Sequence, residues 1–387
     1  MPVDSLRAGP KPVSVPSYIW LAIFGVCAFW LLLGSGVVET SREHDFLNLY
    51  TGGALVRDGQ LTEMHQVEVQ LAKERELVPD IPQLIPFVRL PVYGLLLTPL
   101  SMLPFGTAFW VWLGFQSAML LALWAWIARE VGGNGPLWAA LFAPAALGVA
   151  HGQDCVFMAA VVLGVYVLLR RERDFAAGAV LGLGLIKFHL FLLWPLALIV
   201  QKRWRTMAGA AVTVAAELGI SLLLAGPSGL RAYFALLLRD DLGQLMPSEE
   251  RMLNIRSLLL NLGLDSMPLE GICIAAVVVL MVWTCWKAPL WRWLAAVSVA
   301  SLLVVPHVYG YDATLLLVPA VLAYYRSERS FGKVAAGALL LPVPFLMPMY
   351  GSPWAIAAPA VVLLFFLGLV PWRLPRTSSP SLSESAR

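Results

Sequence analysis

A chain of 387 residues in which 59% are apolar and only 13% charged has too little polar surface to face water, since soluble domains run near 45 to 50% apolar and about 25% charged. Its net charge of +3 says nothing of nucleic acid, because the cations sit in short connections between apolar runs, and nucleic acid is not expected as a partner. The four cysteines, Cys27, Cys155, Cys273 and Cys285, have no paired spacing, so neither a disulfide framework nor a zinc site is indicated.

Runs of about 17 to 25 apolar residues are what a helix needs to cross a hydrocarbon core of about 30 Å. They must be helices, because in lipid each segment has to satisfy its own backbone N–H and C=O groups. In chain order, Arg7 and Lys11 precede a run from Ser17 to Val38 without a clear cleavage site, which reads as a retained first span. Residues 39–105 then form a first outer loop far longer than a connector, with interfacial helices expected in it, and contain HDFLNLYTGGALVRDGQ at 44–60 and RLPVYG at 89–94. Further spans are expected over Gly106 to Ala128, Gly135 to Ala150, Cys155 to Leu169, Phe175 to Ile186, His189 to Val200 and Met207 to Ala225. After a second outer loop over 226–270, with NIRS at 254–257, they continue at Gly271 to Trp286, Leu290 to Val305, Ala313 to Tyr325, Val334 to Met349 and Ala355 to Val370. The expectation is an all-α integral membrane bundle of about 11 to 13 crossings over residues 1–375 as one domain, with a disordered tail at 376–387. Several runs are short, notably the two that meet at Lys187, where a broken or re-entrant helix is expected.

Cytoplasmic loops carry an excess of Lys and Arg. An N-terminus inside gathers Arg129, Arg170, Arg171, Arg173, Lys202, Arg203, Arg205, Lys287, Arg292, Arg326, Arg329, Lys333, Arg373 and Arg376 on the inner side. Both termini then lie in the cytoplasm. The polar motifs HGQD at 151–154, KFH at 187–189, NIRS and PHVYGYD at 306–312 fall on the outer face.

Asp45 opens an apolar stretch with Phe46, Leu49, Tyr50 and Leu55 expected on one side; it is either an N-cap or a partly desolvated carboxylate suited to general-base work. Lys187 and His189 stand where two apolar runs meet. A cation there either binds a phosphate or snorkels to the interface. Arg256 and Arg89 are similar candidates that alternatively mark the membrane edge. His307 and Asp312 bracket Tyr309 and Tyr311 at a helix mouth and either orient a sugar or phosphate or bond each other. His151, Gln153 and Asp154 form a third cluster that a tight turn would also explain. Glu217 is the one acid inside a span and either carries function or pairs with a base.

Walker, dinucleotide-binding, HExxH and Ser-His-Asp patterns are absent. An outer-face enzyme without nucleotide motifs needs an activated substrate delivered through the membrane. Taken in order, Asp45-Phe46, RLPVYGLLLTPLSMLPFGTAFWVW at 89–112, HGQD, AGAVLGLGLIKFHLFLLWPLALIVQKRWR at 177–205 and PHVYGYDATLLLVPA at 306–320 make the chain resemble glycosyltransferase family 87, integral-membrane transferases of the GT-C type. It departs from that pattern in Leu90-Pro91-Val92-Tyr93, where aromatic-Pro-Pro is common, and in Phe188 after Lys187, where Pro is common. The resemblance implies a polyprenyl-phosphate sugar donor, mannose-like or arabinose-like. It further implies a glycolipid or polysaccharide acceptor, inversion with Asp45 as base, and donor contacts from Lys187, His189, His307, Arg256, Gln153, Asp312 and Arg89. No cofactor and no metal are expected, since Lys, Arg and His can meet a phosphate leaving group, and the loop charges put the site on the outer side of a plasma membrane that the chain crosses many times among membrane lipid. The rival reading is a transporter or flippase for a lipid-linked sugar.

Overall fold

The computed structural model describes residues 45–81, 83–239, 249–351 and 353–372. The expected first span, Ser17 to Val38, and the tail at 376–387 lie outside them. Among the described residues the regular structure is entirely helical.

The first outer segment folds as α1 (Asp45–Arg57), α2 (Val67–Leu77) and α3 (Pro91–Ser101). Helix α1 differs from the expected one-sided stretch: every residue from Phe46 to Leu55 is buried. Its two glycines admit close neighbours. A Cβ on Gly53 would lie 2.7 Å from the Leu97 carbonyl oxygen, and one on Gly52 would lie 2.4 Å from the Phe87 ring. Through these contacts α3 and the 84–90 segment pack directly on the α1 backbone.

Long apolar helices carry the chain onward. They are α4 (Phe105–Val131), then α5 (Gly135–Leu141) and α6 (Ala143–Ala150), α7 (Cys155–Arg170), and α8 (Asp174–Gly182) continued by a 3-10 stretch Leu183–Phe191. There follow α9 (Trp194–Val200), α10 (Trp204–Leu237), α11 (Ile255–Asn261), α12 (Met267–Cys285) and α13 (Leu290–Val304). A 3-10 helix Gly310–Leu316 leads into α14 (Leu317–Arg326), α15 (Ser330–Leu340), α16 (Val343–Leu346) and α17 (Ala357–Leu369).

Among the described residues four helices are long and apolar enough to cross a bilayer: Phe105–Val131, Asp174–Phe191, Trp204–Leu237 and Met267–Cys285; α15 with Val343–Tyr350, bent by 45°, makes a fifth. Other runs that read as separate spans form shorter apolar helices such as α7 and α13, or broken pieces such as α5 with α6. Proline explains much of the breakage, since it removes a backbone donor and clashes with the preceding turn; Pro144, Pro342 and Pro344 stand at such breaks. The break foreseen at Lys187 is present, its backbone leaving helical geometry at φ −125°, ψ 58°. The expected end of a span at Ala225 coincides with a kink at Gly226, after which α10 stays helical into the second outer segment.

The 84–90 segment has no helix of its own and is held instead by side chains. Gln70 Oε1 accepts the Phe87 N–H at 2.9 Å, and its Nε2 donates to the carbonyls of Met64 and Phe87. Glu74 Oε2 accepts the Ile85 N–H at 3.0 Å, and His65 Nε2 donates to the Arg89 carbonyl at 2.8 Å. Burial pushes the pKa of His65 down to about 4 and that of Glu74 up to about 8, so both clamp the segment as neutral groups.

A carboxyl whose folded value is raised contributes stability in full below its unfolded value near 4.5, and that contribution is lost as pH rises toward 8. Glu74→Gln is therefore expected to raise the thermal midpoint by a few degrees at pH 8 and to leave it almost unchanged at pH 4.5, as read by scanning fluorimetry in detergent.

Candidate active site

The turn between α6 and α7 brings the first two partners together. Helix α6 ends at His151 with its N–H bonded to the Leu147 carbonyl, and the Gln153 N–H reaches back to Gly148 at 3.0 Å. Gly152 at φ +66° supplies the left-handed residue this helix ending requires. Helix α4 fixes the turn from outside. Trp112 Nε1 donates to the Gly152 carbonyl at 2.7 Å, and Gln116, one helical turn on, donates to the Gln153 carbonyl.

So held, His151 and Gln153 both point at Asp45. His151 Nδ1 lies 2.5 Å from one carboxylate oxygen and Gln153 Nε2 donates to the other at 3.0 Å. Asp45 stands in the first turn of α1, where the positive end of the helix dipole favours a carboxylate.

Beneath this pair runs a buried chain of four charges. Arg89 donates from Nε to Asp154 at 3.2 Å; Lys187 Nζ lies 3.1 Å from Asp154 and 2.8 Å from Asp312. Asp312 also accepts the Tyr309 N–H at 2.9 Å. Burial by itself would push Asp154 up, but the Arg89 guanidinium and Lys187 ammonium beside it hold its carboxyl well below the usual range. Lys187 is neither exposed nor unpaired: it is 4% exposed, clasped between two carboxylates and 5.5 Å from the Tyr311 ring centroid. Its Nζ also reaches Gln153 Oε1 at 3.4 Å, tying the charged chain to the group that holds Asp45.

A cavity of about 450 Å³ opens over these residues. Its polar lining includes Asp45, Arg89, His151, Gln153, Lys187, His189, His307 and Asp312, and its apolar lining Leu147, Phe345, Pro348, Met349 and Ala358. The His189 and His307 rings lie 6.4 Å apart, with Tyr309 stacked edge-on at 4.7 Å from His307. Burial brings the pKa of His307 down to about 4, leaving a neutral ring with one N–H to donate.

Of the eight residues expected as base or substrate contacts, seven line this cavity. Arg256 does not. On α11 it faces three acids, Glu249 at 3.2 Å, Asp265 at 2.7 Å and Glu270 at 3.6 Å, because its helix turns that face away from the 305–309 segment. Arg251, one loop earlier, lines the cavity in its place; nothing in the sequence distinguishes the two arginines. His151 as a direct partner of Asp45 had a signal, its place in HGQD two residues before Gln153. Glu217 is buried on α10 away from the lining residues, its Oε2 without a hydrogen-bond partner among the described residues. Among the described residues no group of three His, Cys, Asp or Glu side chains is placed to hold a metal ion.

A carboxylate held by His151 and Gln153 at a cavity with both polar and apolar lining can take a proton from a hydroxyl. Residues 87–308 match the model of glycosyltransferase family 87. Over 359 residues the chain is 27% identical to a Mycolicibacterium smegmatis protein named polyprenol-phosphate-mannose-dependent alpha-(1-2)-phosphatidylinositol pentamannoside mannosyltransferase, covering 84% of each chain. No solved structure matches. The matched span takes in Arg89, HGQD, Lys187, His189 and His307, and begins after Asp45.

Removing one partner of a buried ion pair strands a charge, at a cost of about 3–5 kcal/mol. Asp154→Ala, which strands Arg89, is expected to lower thermal stability sharply. The double variant Arg89→Gln with Asp154→Asn leaves Lys187 and Asp312 balanced and is expected to lose markedly less; equal losses would show that the charges are not coupled.

Proposed function

The chain belongs to glycosyltransferase family 87, and on that premise we propose that it moves a mannose-like sugar from a polyprenyl-phosphate donor to a hydroxyl of a glycolipid or polysaccharide. The observation that carries this reading is Asp45, its two oxygens held by His151 and Gln153 at a cavity lined by both polar and apolar residues. The M. smegmatis relative, whose printed name specifies a polyprenol-phosphate-mannose donor and a phosphatidylinositol mannoside, supports mannose as the sugar and a glycolipid as the acceptor.

In the reaction Asp45 accepts the proton of the acceptor hydroxyl as its oxygen attacks the anomeric carbon. The bond from that carbon to the phosphate oxygen breaks on the opposite face, so the product is inverted and polyprenyl phosphate leaves with the electron pair. A carboxylate has about four lone-pair positions, so the His151 and Gln153 bonds fix its direction without using its capacity to take a proton. The neutral His307 ring and the nearby His189 supply donors to sugar or phosphate oxygens. The apolar wall, with Phe345, Pro348 and Met349, suits the first isoprene units of the lipid.

We read the site as lying on the outer side of the plasma membrane, with both termini in the cytoplasm. Helix α7 supports this. It starts beside the site at Asp154 and ends at Arg170, about 24 Å away at 1.5 Å per residue. There Glu130 accepts from both Arg170, at 2.5 Å, and Arg326. Arg170 and Arg326, from two of the cation-bearing connections, thus meet a helix length from the cavity, which agrees with the positive-inside rule.

Asp45→Asn is expected to lower mannosyl transfer about 10²- to 10⁴-fold, the usual worth of a positioned base, with an unchanged thermal midpoint. Near-normal turnover by that variant removes the assignment. In a background free of native cysteines, an impermeant thiol reagent added outside is expected to label Asp58→Cys and to miss Arg171→Cys; the opposite pattern inverts the topology.

A further inference from the structure

Breaking the anomeric bond leaves the lipid phosphate with one more negative charge, and a desolvated site needs a cation to meet it. Among the described residues the cavity is lined by three permanent cations, Arg89, Lys187 and Arg251. The first two are already spent. With Asp154 and Asp312 they form an alternating chain of two positive and two negative groups, all buried, and turning either cation toward a phosphate would strand a carboxylate. Burial disfavours a charge on His307.

Arg251 differs in each respect. It is exposed, and no carboxylate pairs with it among the described residues, whereas Arg256 on the neighbouring helix faces three. Its position is nonetheless fixed. It ends a 3-10 turn, Glu249–Arg251, whose Glu250 carbonyl accepts from Ser257 Oγ and Asn261 Nδ2, both at 2.8 Å. Leu253 and Asn254 bind this turn to the segment that carries His307. Leu253 N–H donates to the Val308 carbonyl at 3.1 Å, and Asn254 Nδ2 donates to the carbonyls of Val305, at 2.8 Å, and Pro306, at 3.2 Å. Arg251 and His307 therefore stand on one braced unit at the cavity rim.

We propose that Arg251 is the residue that binds the donor phosphate and neutralises it as it departs. This rests on the donor reading given above. A guanidinium offers two parallel N–H groups that match two phosphate oxygens. The buried chain, with no net charge of its own, then acts as scaffold and Arg251 as the working cation.

The test uses the full chain in lipid nanodiscs and measures binding of polyprenyl phosphate and of the uncharged polyprenol of equal length, together with the donor KM and kcat. For Arg251→Ala we expect affinity for polyprenyl phosphate to fall at least tenfold, polyprenol binding to stay as in the wild type, and kcat to drop. Arg251→Lys is expected to recover part of the phosphate affinity, and Arg256→Ala to leave it unchanged. Polyprenyl phosphate binding as tight in Arg251→Ala as in the wild type overturns the assignment while leaving the donor reading intact. A wild-type protein that binds the two lipids equally and transfers no sugar from the phosphate donor overturns the donor reading, and the role of Arg251 with it.

Discussion

Four charges buried together are the constraint on which the rest of this molecule depends. Arg89, Asp154, Lys187 and Asp312 come from four segments far apart in sequence: the stretch before α3, the start of α7, the break after α8 and the 3-10 helix before α14. Each alone would be very costly to bury; in alternation each compensates its neighbours. The requirement that all four meet is what draws these loops to a single place and so shapes the cavity above them. A helical membrane body supplies apolar packing that is much the same along its length. The charge chain tells one end of it from the other.

That arrangement also divides labour among side chains of similar kind. Lys187 has the chemistry of a phosphate ligand, but its two carboxylate neighbours make it a tie between helices, and through Gln153 a support for Asp45. Asp154 and Asp45 are both carboxylates near the same turn. One is sealed between two cations, whereas the other is held by a histidine and an amide and borders open space. Position within the network, rather than residue type, sets which group is left able to react.

Much of this was legible in the sequence, and the limits have physical causes. Lipid forces backbone satisfaction within each segment, so the helical, many-span class follows from composition alone. The break at Lys187 and the kink after Ala225 could be read because charge, Gly and Pro interrupt apolar runs locally. Asp45, Gln153 and His307 could be read because polar residues in such runs are few. What resisted reading was long-range. Helix α1 has the side chains of a half-buried helix, and only its packing in the fold, with every residue from Phe46 to Leu55 buried, shows that both faces are covered. Arg251 and Arg256 are interchangeable in one dimension and are separated only by which acids the fold sets beside each. The number of crossings was blurred because proline-broken pairs and short packed helices carry the same apolar signature as a full span.

The bend between α15 and α16 adds one more point. Pro342, Pro344 and Pro348 offer no backbone donor, so the apolar wall built on Phe345, Pro348 and Met349 has a sparse hydrogen-bond ladder. Facing it, Asp45 stands on a helix packed on every side. The cavity therefore has unequal stiffness: a rigid anvil that keeps the reacting carboxylate in register, and a compliant flank that yields to a bulky, flexible chain without disturbing it.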